Sequence, residues 1–256
     1  MREVRWRWEQ LAVALAALIP WLGWSNCFRG KTVNSADDVL TTQKLLVLSD
    51  IHYPAGRSRE AFSIIRKERP DIVVLLGDVV EAPKDALVKY YREFLDNYPF
   101  QLESTALILG DNDFAASQVF RDFVGSLDTL TANHDFFKCG NLFMTHGNIE
   151  GRGRFSPLLE TMGSRFAKKL QSAMPSLLSR AVRVRYSVAC DDYLFLGHIH
   201  YLGKVSSTNS VFCGTFSTEK IVYPAELSLG YVTAELARSR VVDLDSIVLH
   251  HLKPAL

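Results

Sequence analysis

The sequence has no Cys-x-x-Cys pair, no apolar run long enough to span a bilayer and no surplus of one charge, and each absence removes a class of function. The four cysteines, Cys27, Cys139, Cys190 and Cys213, lie far apart, so neither a zinc knuckle nor a dithiol redox motif is present. They read as reduced, structural thiols. Lysine and arginine total 29 against 28 aspartate and glutamate, which argues against both a nucleic-acid coat and an acidic disordered tail. Internal repeats and low-complexity tracts are also missing. What is there is a chain of 256 residues, 48% of them apolar, enough for one large domain with attachments.

The first 24 residues differ from the rest. Arg2, Arg5 and Arg7 alternate with Trp6 and Trp8, and residues 11–24 form an apolar run interrupted by Pro20 and Gly23. All 4 tryptophans lie here, where amphipathic rings settle at a membrane boundary. The run falls short of the roughly 20 residues that a spanning helix needs, and no small-x-small cleavage pattern follows it. A helix packing within or between subunits fits it best, with membrane-surface attachment and a cleaved signal as alternatives. Residues 29–42 read as a polar linker. The expected organisation is therefore an Arg/Trp-rich segment and linker at 1–43 and a domain at 44–256, located in the cytoplasm, with membrane association or self-association through 1–24.

From Lys44 onward, short apolar runs exchange with segments of helical spacing, which predicts an α/β fold. The runs are 45–48, 72–76, 106–109, 142–144 and 193–196. They lack period-two alternation and so resemble strands covered on both faces. Residues 58–67 and 84–95 read as helices. The runs end, in order, in Ser49-Asp50-Ile51-His52, Gly77-Asp78, Gly110-Asp111-Asn112-Asp113, Thr145-His146-Gly147 and Gly197-His198-Ile199-His200. Ligands of open α/β sheets bind beyond the carboxyl ends of the strands, so these polar groups would meet on one rim.

Asp50 and His52, two residues apart on leaving a strand, would point the same way and chelate one ion, and His198 and His200 repeat the spacing. A mixture of imidazoles and carboxylates suits Mn, Fe, Co or Zn better than Ca or Mg. Six or seven such groups are too many for one ion, whereas two ions about 3.5 to 4 Å apart share a bridging carboxylate. Asp78 is the natural bridge. Taken singly, a Gly-Asp reads as a turn and a lone histidine as structural. The ordered set of five carries the signal.

With those five motifs in that order, residues 44–249 resemble the calcineurin-like metallophosphoesterase superfamily, whose pattern is Asp-x-His, Gly-Asp, Gly-Asn-His-Asp/Glu, His and Gly-His-x-His. The resemblance implies two packed β-sheets flanked by helices, a four-layer sandwich. It implies two divalent ions, manganese foremost, with Fe, Co or Zn as alternatives. Asp50, His52 and His200 would bind one ion, His146 and His198 the other, and Asp78 would bridge them. Gly214-Thr215 looks like that family's strand-turn segment. The implied reaction is in-line attack on phosphorus by metal-bound hydroxide, without a covalent enzyme intermediate.

One motif departs from the pattern. In direct alignment Asp111 replaces the asparagine ligand and Asn112 replaces the histidine that protonates the leaving group. If the register slips by one, Asn112 becomes the ligand and Asp113 takes the histidine's place. Asn133-His134-Asp135 spells the missing motif late and reads as a decoy, although His134 could approach the site as an acid. Without an imidazole acid, phosphodiesters, pyrophosphate-type bonds and activated aryl esters are the expected substrates. The candidate catalytic residues are thus Asp78, Asp111 and Asn112.

Between His146 and His198 lies a basic stretch at about 151–185, holding Arg152, Arg154, Arg165, Lys168, Lys169, Arg180, Arg183 and Arg185 against Glu160 alone. It predicts an amphipathic helix followed past Pro175 by a second, as a solvated basic face or as a cap that draws an anionic phosphate ester. In layout this is similar to the UDP-diacylglucosamine diphosphatases, whose helical insertion falls in the same region. The competing readings are a nuclease, which would bind nucleic acid but lacks aromatic stacking residues here, and a non-catalytic metal-binding scaffold.

Overall fold

A computed structural model describes residues 42–114, 118–131, 134–147, 175–218, 223–237, 242 and 244–254, without the side chains of Asn112, Phe114 and Leu244. The segment expected at 1–24, the first basic helix and Asn133 lie outside the described residues. The described elements are β1 (Gln43–Ser49), α1 (Ser58–Glu68), β2 (Ile72–Leu76), α2 (Leu87–Asn97), β3 (Thr105–Ile108), α3 (Asp111–Phe114), α4 (Gln118–Gly125), β4 (Phe137–Cys139), β5 (Leu142–Thr145), α5 (Pro175–Tyr186), β6 (Tyr193–Leu196), β7 (Leu202–Val205), β8 (Ser210–Cys213), β9 (Gly230–Leu236) and β10 (Val248–His251). No described helix is long and apolar enough to cross a membrane.

The strands form two five-stranded sheets, ordered β10-β9-β1-β2-β3 and β4-β5-β6-β8-β7. Parallel pairs β1–β2, β2–β3, β5–β6 and β6–β8 make the centres, and antiparallel β9, β10, β4 and β7 extend them. The doubly apolar runs are explained by two-sided burial. Leu45, Val47, Val74, Leu76 and Ile108 face Met144, Phe195, Val211 and Cys213 of the other sheet. Their alternates Leu46, Leu48, Val73, Leu75 and Leu107 pack under α1, α2 and α4 through Phe62, Ile65, Tyr91, Phe94 and Phe120. On the far side Phe143, Leu194, Leu196 and Phe212 receive Leu178 and Val182 of α5. The result is the expected helix–sheet–sheet–helix sandwich.

Three expectations are corrected. The helix expected from residue 84 starts at Leu87, because Pro83 opens a turn whose carbonyl accepts the Ala86 N–H at 2.8 Å. Cys139 and Cys213 are buried free thiols as expected, whereas Cys190 is disulfide-bonded. The second basic helix is present as α5, but its Arg183 is half-buried and donates to the carbonyls of Thr208, Ala189, Asp192 and Asn209. That guanidinium fastens α5 to the β6 and β8 ends and is spent structurally rather than on a solvated or substrate-facing surface.

The open edge of β3 is covered. Leu130 N–H donates to Thr105 O, Thr131 Oγ1 exchanges hydrogen bonds with Leu107, and Leu109 N–H donates to His134 O. His134 Nδ1 lies 2.9 Å from Leu107 O, so the late Asn-His-Asp motif contributes its histidine to edge protection.

Candidate metal centre

All five motifs sit just past strand ends, on one rim shared by the two sheets. Asp50, His52, Asp78, His198 and His200 have φ between 46° and 69°, in the left-handed region that non-glycine residues seldom occupy. Asp50 and His52 therefore aim into the rim because the chain curls there, and not through the alternation of an extended strand. Backbone bonds hold the curl: Asp50 N–H donates to Gly77 O, His52 N–H to Asp78 O, and Phe216 N–H and Thr215 Oγ1 donate to Asp50 O. Such conformations cost of order 1 kcal/mol or more each and persist where the surroundings over-determine them.

The side chains form three groups suited to an ion: Asp50, His52 and His200; Asp111, His146 and His198; and Asp50, Asp78 and His146. In the first, His200 Nε2 lies 3.2 Å from Asp50 Oδ1 and 3.3 Å from His52 Nε2. In the second, Asp111 Oδ1 lies 3.3 Å from His146 Nε2 and 3.1 Å from His198 Nδ1. Donors about 2.0 to 2.2 Å from a shared ion sit about 3 to 3.5 Å from one another, so these spacings fit. Asp78 Oδ2 is 3.8 Å from His146 Nε2, and its group takes one member from each of the others. His198 and His200 thus serve different groups rather than chelating one ion together.

Burial and electrostatics also suit these groups to a cation. Asp50 Oδ1 and His200 Nδ1 are buried with no hydrogen-bond partner, a state that natural interiors rarely tolerate unless something else satisfies it. Burial alone would raise the Asp50 carboxyl, but His146, His200 and His52 hold it well below the usual carboxylate range. Asp111 is likewise depressed against its burial, by His146 and His198. Asp78 is pushed well above the usual range, by burial and by the carboxylates of Asp111, Asp50 and Asp113. Burial would lower the His146 imidazole, yet Asp78, Asp50 and Asp111 lift it to about 10.

The profile of the calcineurin-like phosphoesterase superfamily domain matches residues 44–224, a span that contains every one of these groups. The chain belongs to that superfamily. No curated protein sequence matches it. Similar solved structures include Yfce, a phosphoesterase from E. coli, at 17% identity and TM-score 0.43, covering 82% of this chain and 100% of that one. A novel archaeal phosphodiesterase is 15% identical with TM-score 0.41, covering 81% and 99%. Vps29 complexed with zinc from Entamoeba histolytica is 16% identical with TM-score 0.37, covering 82% and 98%.

In this chain Asp111 and Asp113 of the variant motif are placed differently. Asp111 enters the second group, while Asp113 is turned away and buried, accepting the Gly110 N–H at 2.9 Å and the Tyr91 hydroxyl at 3.0 Å. The slipped register would need Asp113 in the acid's place, and its carboxylate is instead engaged by Gly110 and Tyr91. The Asn112 side chain lies outside the described residues, and His134 belongs to none of the three groups.

Several supporting residues were not legible in the sequence. Glu81 Oε2 accepts from His52 Nδ1 at 2.9 Å across 29 residues of chain, and Leu76 O accepts from His146 Nδ1 at 3.0 Å. Each fixes a tautomer that turns Nε2 toward the groups. Ser49 Oγ and the His198 N–H both hold Asp50 Oδ2, leaving Oδ1 for an ion. Two glycines are required by proximity: a Cβ at Gly77, where φ is 78°, would stand 2.1 Å from His146 Nδ1, and one at Gly110 would stand 2.0 Å from Asp78 Oδ1.

Two outcomes are expected here. Glu81→Gln should weaken uptake of an ion by about 10- to 100-fold, the usual loss on removing a histidine's carboxylate partner; a calorimetric titration unchanged from wild type would refute the role. Against its burial, neighbouring carboxylates push the His146 imidazole up to about 10, and a ligating imidazole is neutral, so an ion should compete with a proton there. Apparent affinity should therefore rise with pH from 6 to 9. Titration heats should change with the ionisation enthalpy of the buffer, and buffer-independent heats would contradict this.

Proposed function

We propose that this phosphoesterase hydrolyses phosphodiester, pyrophosphate-type or activated phosphate ester bonds with two divalent ions, manganese foremost. One observation carries the reading. Two groups of one carboxylate and two imidazoles, at ligand spacing, are joined by a third group through Asp78, and Asp50 Oδ1 is buried there with no hydrogen-bond partner, facing His200 Nε2 at 3.2 Å. Asp50, His52 and His200 would hold one ion, Asp111, His146 and His198 the other, with Asp78 between. Such ions supply Lewis acidity to phosphoryl oxygens and a strong oxygen nucleophile at neutral pH.

The chain's own residues do the rest. The left-handed turns and their backbone bonds fix the donors before anything binds, so little reorganisation remains at reaction. Glu81 and Leu76 O orient the imidazoles, and burial excludes competing water. Asn112 stands where the superfamily pattern carries its acid and cannot donate a proton in that role. The leaving group must then depart unprotonated, which supports acidic leaving groups and an anionic phosphate ester as substrate. The loss of Arg183 to structural duty weakens the case for a nucleic-acid groove.

The test is a metal-stripped preparation assayed on bis(p-nitrophenyl) phosphate with and without added Mn²⁺. Cleavage that returns with the ion supports the reading. No cleavage with any of Mn²⁺, Fe²⁺, Co²⁺ or Zn²⁺ would favour the non-catalytic scaffold.

A further inference from the structure

We propose that Tyr91, acting through Asp113, is a positioning residue for the Asp111 carboxylate; this rests on the reading of Asp111 as a ligand of the second ion. Asp111 opens α3, described over Asp111–Phe114. The first turn of a helix costs more to order than its own hydrogen bonds return, so contacts from outside it help to fix its place.

The Asp113 side chain does so. One oxygen accepts the Gly110 N–H at 2.9 Å, closing the turn on itself, and the other accepts the Tyr91 hydroxyl at 3.0 Å, tying the turn to α2. Tyr91 is in turn fixed by its ring, edge-on to Phe120 with centroids 5.0 Å apart, and Tyr91 and Asp113 are each only 1% exposed. On the other side Gly110 lies hard against Asp78. The Asp111 backbone is thus held between Asp78 and α2, with the Tyr91 hydroxyl linking this clamp to α2.

A carboxylate buried on two neutral donors is an expensive way to fill space, because well-packed apolar side chains do it at lower cost. Here it sits beside Asp78 and Asp111, where further negative charge is least welcome without cations. Its value lies in two directional bonds that set where Asp111 stands relative to His146 and His198.

Metal-stripped wild type, Tyr91→Phe and Tyr98→Phe would be titrated with Mn²⁺, following the free-ion resonance signal, beside kcat and KM on bis(p-nitrophenyl) phosphate. Tyr98, whose hydroxyl bonds Thr105 at 3.0 Å, controls for losing a buried tyrosine hydroxyl away from the ligands. Tyr91→Phe is expected to weaken one of the two ions by about 10- to 100-fold and leave the other within twofold. Its kcat should fall at limiting Mn²⁺ and recover at excess, with KM within twofold. Tyr98→Phe should change melting temperature alone. Asp113→Asn, which keeps an acceptor for Gly110 and a polar partner for Tyr91, should retain both ions, and Asp113→Ala should lose one even if Tyr91→Phe fails to fold. Unchanged affinities in Tyr91→Phe and Asp113→Ala overturn the proposal alone. A wild type that takes up fewer than two ions overturns it together with the two-ion reading.

Discussion

Asp78→Asn is expected to abolish metal-dependent cleavage of bis(p-nitrophenyl) phosphate, lowering kcat/KM by well over a hundredfold. Partners that merely orient a ligand are worth about 10- to 100-fold, and Asp78 stands closer to the centre than any of them, sharing a group with Asp50 on one side and His146 on the other. The amide keeps the volume and one acceptor oxygen but gives up the charge that two adjacent cations require. The fold should survive, because the amide keeps the volume and removes a charge that burial and the neighbouring carboxylates disfavour. A variant with wild-type melting, near-wild-type turnover and two bound ions would remove Asp78 from its proposed role.

The second large effect concerns the leaving group. Bis(p-nitrophenyl) phosphate and other esters of acidic alcohols should be cleaved efficiently, while simple alkyl monoesters should lag by a further factor of about 100 to 10,000, the usual contribution of a positioned general acid. Asp113 does not supply that acid, being turned onto Gly110 and Tyr91, and His134 is engaged on the β3 edge. A Brønsted plot of kcat/KM against leaving-group pKa should be steep. A flat plot, with alkyl and aryl esters alike, would mean that some group donates the proton after all.

The central strands and the ligands themselves were legible because their signal is local. An apolar run ending in Gly-Asp or Gly-His-x-His announces both a buried parallel strand and what it presents at its tip, and β2 and β6 occupy the residues expected of them. The outer strands were not legible. β10, with the burial pattern eiie, is half exposed and carries two histidines, so its composition does not separate it from a loop. The two-residue spacings were half legible: Asp50 and His52 share a group as expected, while His198 and His200 fall to different groups, as the family resemblance and not the spacing implied, and left-handed turns rather than extended strands aim them. Glu81 and Tyr91 were invisible for another reason. Their partners are 29 and 22 residues away, and nothing short-range in the sequence encodes which carboxylate meets which imidazole or hydroxyl.

Every one of the three groups draws members from both sheets. Asp50, His52, Asp78 and Asp111 follow strands of one, and His146, His198 and His200 follow strands of the other. Even without an ion, the His198 N–H reaches across to Asp50 Oδ2 at 3.0 Å. The rim is therefore a rivet as well as a candidate metal centre. Sliding one sheet over the other by the width of a side chain would pull both triads apart, so whatever locks the triads also locks the sandwich, and the apolar interface between the sheets keeps the site in register.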